Sequence, residues 1–219
     1  GGGGGTRSVL LFGGSFDPPT LAHTRLPPRV RDALGLDWAL YLPAARSPLK
    51  SAAPGASAQD RLDMLAAALA GAERCSIGTL ELDRGDAEPS YTVDTLRTLR
   101  RALGPSVTLR LLIGTDQAAQ FHRWREPREV LALAEPVVIT RPDAGADGAL
   151  PASMAERWRP DEMAAWRRRL VRVPPIDASS TEARALLSND ATRDAPRLLE
   201  LLPGPVLHLI RDRALYKAP

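Results

Sequence analysis

Apolar residues along the chain follow two alternating rhythms. Short, nearly unbroken apolar runs occur at residues 6–12, 38–42, 75–77, 107–113, 136–140 and 171–173, each closed by Gly, Pro or a polar turn. Runs of this length and content predict buried strands. Between them the apolar positions recur at helical spacing, which predicts helices over 21–34, 58–70, 91–103, 127–134, 161–170 and 182–188. One or two further helices are expected up to Tyr216. Gly35 stands where the first helix should stop, and Trp166 is expected to face inward. Strands alternating with helices imply βαβ units and a largely buried parallel sheet. The expected fold is therefore α/β: Rossmann-like, doubly wound, with helices on both faces.

Composition narrows this only a little. With 219 residues, 44% hydrophobic and 25% charged, the chain suits one α/β domain over 7–219. The five leading glycines are read as a disordered lead-in over 1–6. Residues 142–160, rich in Gly, Ala, Pro and Asp, read as a surface insertion, and 176–219 as a C-terminal helical part. No apolar run approaches the roughly 18 residues of a membrane span, and nothing at the N-terminus reads as a secretory signal. The single cysteine, Cys75, excludes an intrachain disulfide and a thiolate metal site, and fits a reducing cytoplasm. The net charge of +3 is spread among acids, without the clustered patch that nucleic acid wants. Neither a nucleic-acid nor a membrane partner is expected, and a homo-oligomer is left open.

In open α/β sheets ligands sit beyond the carboxyl ends of the strands, so the segments just after strands carry the chemistry. After the first run comes Gly13-Gly14-Ser15-Phe16-Asp17-Pro18-Pro19-Thr20-Leu21-Ala22-His23. Glycines let backbone approach a ligand, and a helix N-terminus favours phosphate. Late in the chain, Asp177-Ala178-Ser179-Ser180-Thr181-Glu182-Ala183-Arg184 places hydroxyls and an arginine at another helix start, with Ser179 and Glu182 spaced as a capping box. This is either a plain cap or a phosphate cradle. Lys50, in 43–50, is either a phosphate partner or a solvated lysine. Ser90 and Thr92 suit a helix start. Ile113-Gly114-Thr115-Asp116 offers a carboxylate after the fourth run. Trp124 is either a stacking platform or a core tryptophan.

Taken in order, these segments resemble nucleotidyltransferases related to nicotinate-nucleotide adenylyltransferase. The first is similar to their GGTFDPxHxGH signature, with Thr20 for the first histidine and Ala22 for a glycine. The late segment is similar to ISSTxIR, with Ala178 and Ala183 for the isoleucines. Residues 43–50 resemble P…PPHK with Leu49 for histidine. Glu88 to Leu96 resembles GPSYTVDTL, and Ile113 to Asp116 resembles IGxD. Arg141-Pro142 matches an Arg-Pro pair, and His208 to Tyr216 resembles a closing YI…LY. The resemblance covers the chain from the first strand to its end, 142–160 excepted.

The resemblance implies transfer of AMP from ATP to nicotinate mononucleotide, giving deamido-NAD and pyrophosphate. It implies catalytic roles for His23, Thr20 and Arg184, with Thr20 donating to a phosphate oxygen. It implies ATP contacts from Gly13, Gly14, Ser15, Phe16, His23, Gly114, Asp116, Ser179, Ser180, Thr181 and Arg184. Acceptor contacts would come from Ser15, Lys50, Tyr91, Thr92 and Trp124. Mg²⁺ is expected to arrive with ATP, with no metal cage of the protein's own. An acceptor phosphate is already an anionic nucleophile, so no general base is required, and positioning with electrostatics does the work. The alternatives are another phosphorylated acceptor (nicotinamide mononucleotide or phosphopantetheine) or a relative that binds a nucleotide without turnover.

Overall fold

The computed structural model describes residues 7–46, 55–85, 89–139 and 150–217. The element order is β1 (Ser8–Gly14), α1 (Leu21–Ala33), β2 (Trp38–Pro43), α2 (Ala58–Ala68), β3 (Cys75–Ile77), α3 (Thr92–Leu103), β4 (Thr108–Gly114) and α4 (Thr115–Ala119). Then follow α5 (Pro127–Leu133), β5 (Glu135–Ile139), α6 (Pro160–Arg168), β6 (Leu170–Val171), α7 (Ser180–Leu187), α8 (Arg197–Leu201) and α9 (Gly204–Asp212). The strands form one sheet in the order β3-β2-β1-β4-β5-β6. The pairs β1–β4, β4–β5 and β5–β6 are parallel, with Ser8 opposite Thr108 and Gly114 opposite Ile139.

This order reverses at β1, as in doubly wound folds. Consecutive residues are buried in the central strands, namely Leu10 and Leu11 in β1, Leu111 to Ile113 in β4, and Val137 and Val138 in β5. Such strands are covered on both faces, which is why they read as unbroken apolar runs.

The chain divides into two compact units whose boundary crosses secondary structure. Unit 1 gathers the chain up to Phe12, Arg29–Leu40 and Tyr91–Pro175, while unit 2 gathers Gly13–Pro28, Tyr41–Ser90 and the chain from Ile176. The boundary runs through β1, β2 and α1 and not through a linker. In α1 it falls after Pro27-Pro28. Two prolines there remove the amide donors of two ladder bonds. The helix then closes as expected: Gly35 takes φ 63° and Leu36 N–H donates to the Arg31 carbonyl at 2.9 Å.

Unit 1 contains an aromatic cluster. Trp166 of α6 is fully buried, as its pattern predicts, with its ring 5.1 Å from Phe121 and 5.5 Å from Trp158. In the described part of the segment read as a surface insertion, 150–160, most residues are exposed and two are buried. Met154 and Trp158 are core residues around a short 3-10 turn, Ala152–Glu156. Two apolar side chains in a polar segment anchor it without producing any periodicity. Residues 1–6 and 142–149, with Leu49, Lys50, Arg141 and Pro142, lie outside the described residues. The last strand is Leu170–Val171, not 171–173. Unit 2 has its own core: Met64 of α2, Ala183 and Leu187 of α7, Leu198 and Leu201 of α8, and Val206, Leu207 and Ile210 of α9.

Candidate functional site

The two signature segments of unit 2 meet in space through contacts that span 158, 162 and 167 residues of sequence. Ser180 Oγ donates to the Pro18 carbonyl at 2.8 Å, Thr20 Oγ1 to the Ala178 carbonyl at 3.3 Å, and Arg184 Nη1 to the Asp17 carbonyl. Each bond joins the end of β1 to the start of α7, so the segments form one surface.

Gly13 and Gly14 are the last residues of β1, and the Gly14 carbonyl accepts the Ala44 amide at 2.9 Å. A Cβ on Gly14 would stand 3.2 Å from the Phe16 ring, a tight contact that glycine relieves. Phe16 takes a left-handed φ of 48° and turns its ring inward, 5.3 Å edge-on from His23 and 6.1 Å from Tyr41. The Phe16 side chain is buried, so any contact this residue makes with a nucleotide falls to its backbone. Ser15 is half-buried beside it.

The first turn of α1 fixes the histidine. Thr20 is the residue before the helix, its carbonyl accepting from Thr24 N–H at 3.2 Å, and His23 stands three residues further on. The Thr20 backbone N–H donates to His23 Nδ1 at 2.9 Å, and the Thr20 hydroxyl lies at the same distance from that nitrogen. This is the return arm of a capping box, with imidazole in the place usually taken by Glu. A ring nitrogen facing an N–H donor is an acceptor, so the imidazole proton sits on Nε2. Thr20, expected to donate to a phosphate oxygen, makes its bonds within the chain here. Thr20 is 0% exposed, and its hydroxyl is turned to Ala178 and His23. It sets the ring's angle and tautomer.

At α7, Ser179 caps the helix, its Oγ accepting from Thr181 N–H at 3.2 Å and Glu182 N–H at 3.5 Å. The reciprocal arm of the expected capping box is redirected. The Glu182 carboxylate accepts from Arg197 Nε at 2.8 Å, and Arg197 also holds Asp177 at 2.9 Å. A Ser179→Ala variant should lose about 1 kcal/mol of stability in denaturant titration. An unchanged midpoint would show that the cap is dispensable. Thr181 is exposed, Ser180 is half-buried, and Arg184 Nη2 reaches Thr181 Oγ1 at 3.4 Å.

Two residues that the motifs did not single out hold this surface from beneath. Arg61 of α2 is 1% exposed; its Nη1 donates to the carbonyls of Ser15 at 2.7 Å and Ala44 at 2.8 Å, and its Nη2 to Ala45 at 3.4 Å. Burial pulls its guanidinium below the ordinary value, partly offset by the charge of Asp17. Asp17 accepts the backbone N–H groups of Gly55 at 2.7 Å and Ala56 at 3.1 Å. Arg61 had a signal: it shares a helical stripe with Met64, Leu65 and Ala68, an unusual place for a cation. Asp17 stands in the first signature segment, but this role left no signal there, since its partners lie 38 and 39 residues away.

In unit 1, Gly114 ends β4 and its N–H donates to Gln117 Oε1 at 3.1 Å, opening α4. Asp116 lies exposed in the first turn. Tyr91, and neither Ser90 nor Thr92, precedes α3, and it contributes no side-chain cap. Its ring instead carries the Arg125 guanidinium at 4.7 Å, and Thr92 is the first helical residue. Trp124 is half-buried and stacks on Phe121 at 4.7 Å with a 26° interplanar angle. One face therefore belongs to the aromatic cluster. Among the described residues no group of His, Cys, Asp or Glu has the arrangement of a metal site, and no helix is long and apolar enough to cross a membrane.

A glycine-led turn after β1 and a hydroxyl-rich helix start, on a sheet of order 3-2-1-4-5-6, define a nucleotidyltransferase framework. Residues 11–186 match the family described as cytidylyltransferase-like, and the chain belongs to that family. Over nearly its whole length it is similar to particular members. It is 36% identical over 217 residues to a protein of Chromobacterium violaceum, covering 95% of this chain and 98% of that one. It is 40% identical over 219 residues to one of Bordetella parapertussis, covering 97% and 100%. Each bears the name "Probable nicotinate-nucleotide adenylyltransferase". In fold it is similar to the Plasmodium falciparum nicotinic acid mononucleotide adenylyltransferase complexed with NaAD, at TM-score 0.73 and 19% identity over 96% of this chain and 97% of that one.

Proposed function

We propose that this chain transfers the AMP part of ATP to nicotinate mononucleotide, forming deamido-NAD and releasing pyrophosphate. The observation that carries the reading is the lacing of the β1 turn to the α7 start, which sets His23 and Arg184 on one surface of unit 2. The names of its full-length relatives support the same reaction.

The acceptor's phosphate oxygen attacks the α-phosphorus, forming a P–O bond, and the bond to the β-phosphate bridging oxygen breaks. Charge grows on the α-phosphate oxygens and on the departing pyrophosphate. His23, with its proton on Nε2, supplies a donor that need not gain or lose a proton during the step. Arg184 supplies a fixed cation beside the exposed start of α7. Mg²⁺ enters as part of the ATP substrate. Asp17 is not offered to it, since its carboxylate is committed to Gly55 and Ala56. In unit 1, Gly114 and Asp116 are assigned to the nucleotide, and Tyr91, Thr92 and Trp124 to the acceptor; Lys50 is assigned to a phosphate. The reaction and the lone Cys75 suit a reducing cytoplasm.

The test is pyrophosphate release from ATP and Mg²⁺ with nicotinate mononucleotide, nicotinamide mononucleotide and phosphopantetheine offered in parallel. Release with the nicotinate form should exceed the others at least about tenfold, a gap of about 1.4 kcal/mol in transition-state binding. Release with phosphopantetheine alone would reassign the acceptor. Silence with all three would leave a nucleotide-binding protein without this activity.

A further inference from the structure

Asp17 is 6% exposed and stands beside Arg184, yet the two do not form a close ion pair. The nearest approach, Arg184 Nη1 to Asp17 Oδ2, is 3.9 Å. A buried carboxylate next to arginine ordinarily closes into a short, forked pair. Here three neutral donors occupy it first. Gly55 N–H reaches Oδ2 at 2.7 Å, Ala56 N–H reaches Oδ1 at 3.1 Å, and the Tyr216 hydroxyl reaches Oδ1 at 2.7 Å. Arg184 instead donates to neutral oxygens, the Asp17 carbonyl and Thr181 Oγ1, and keeps 35% of its side chain exposed.

Tyr216 is built into this place from the end of the chain. Ala214 and Tyr216 take left-handed φ values of 51° and 59°, the tail's route to Asp17. The ring lies over Gly55, where an added Cβ would stand 3.2 Å from it. Burial, then the Asp17 charge and hydrogen bond, push the phenol well above its ordinary value, so it stays a donor.

We infer that Tyr216 is a positioning residue for adenylyl transfer: by occupying Asp17 it keeps the charge of Arg184 uncommitted and available to the phosphates of ATP. This rests on the proposed reaction. Without the phenol, Oδ1 loses a donor and the carboxylate can rotate onto the guanidinium, which then meets ATP already neutralised. Asp17 without its charge could do no such thing.

The test is a cycle of Tyr216→Phe in the wild-type and Asp17→Asn backgrounds, reading ATP affinity by calorimetry without acceptor and melting temperature alongside. Tyr216→Phe keeps the ring on Gly55 and removes only the hydroxyl. In the wild-type background it should weaken ATP binding about five- to tenfold, the scale of a charge interaction lost at a partly exposed site. In the Asp17→Asn background the same change should leave ATP binding within about twofold. Equal losses in both backgrounds would overturn the inference and make Tyr216 a structural residue. Unchanged ATP affinity in the wild-type background would also overturn it while leaving adenylyl transfer untouched. A cycle that behaves as expected in a protein releasing no pyrophosphate would sink the reaction instead and keep the role of Tyr216. A wild-type protein that binds no ATP would overturn both.

Discussion

His23→Ala should lower kcat by about a hundredfold, the scale of removing one donor aimed at transition-state charge, or about 2.7 kcal/mol. The alanine variant alone is ambiguous, because the imidazole also works inside the fold. Its Nδ1 accepts the Thr20 N–H at 2.9 Å, so truncation removes a helix-capping arm as well as the Nε2 donor. That loss should appear as about 1 kcal/mol of stability. His23→Asn separates the two roles. Asparagine can place its Oδ1 near the position of Nδ1 and accept the same N–H, but it is too short to put a donor where Nε2 stands. Its melting temperature should stay close to wild type while turnover falls as far as in the alanine variant. Near-normal turnover with asparagine would remove His23 from the chemistry and leave it as the cap of α1.

The double use of His23 shows where the sequence was legible and where it was not. The strand runs, α2, α3 and α7 follow from apolar periodicity, and β3 has the bounds expected of it, because core burial dictates which positions are apolar. The glycines, the late hydroxyls and Arg184 could be singled out because their chemistry is local. The bonds that Thr20 makes within the chain could not be read on that basis. Its type says hydrogen-bond donor, but its direction depends on α1 beginning one residue later and on a carbonyl at Ala178. Phe16 likewise turns away through a backbone angle that composition does not encode. The five-residue α4 is too short to repeat a pattern, and its one capping bond, Gly114 N–H to Gln117 Oε1, is a local signal without a period. The layer beneath the site was hidden for a different reason. Asp17 meets Tyr216 across 199 residues, a juxtaposition that only the assembled chain creates.

Arg61→Met should cost about 3 kcal/mol of folding stability, and two opposing effects decide that number. Replacing a buried cation by an apolar chain of similar reach removes its desolvation penalty, which can by itself make such changes neutral or favourable. Against this, the guanidinium donates to the carbonyls of Ser15, Ala44 and Ala45, and methionine donates to none. A buried polar group left without a partner costs about 1–3 kcal/mol. Two short bonds and one long one therefore outweigh the relief. The attraction between Arg61 and the buried Asp17 charge is lost as well. In a chain of this size about 3 kcal/mol should lower the melting temperature by about 10 °C. Arg61→Lys should fall between the two, since one ammonium cannot reproduce a planar fork that serves carbonyls after both β1 and β2. Urea titration of the three proteins checks the order. A methionine variant within about 1 kcal/mol of wild type would mean that the loop carbonyls find other donors, and that the two turns are held by the sheet and not by the cation beneath them.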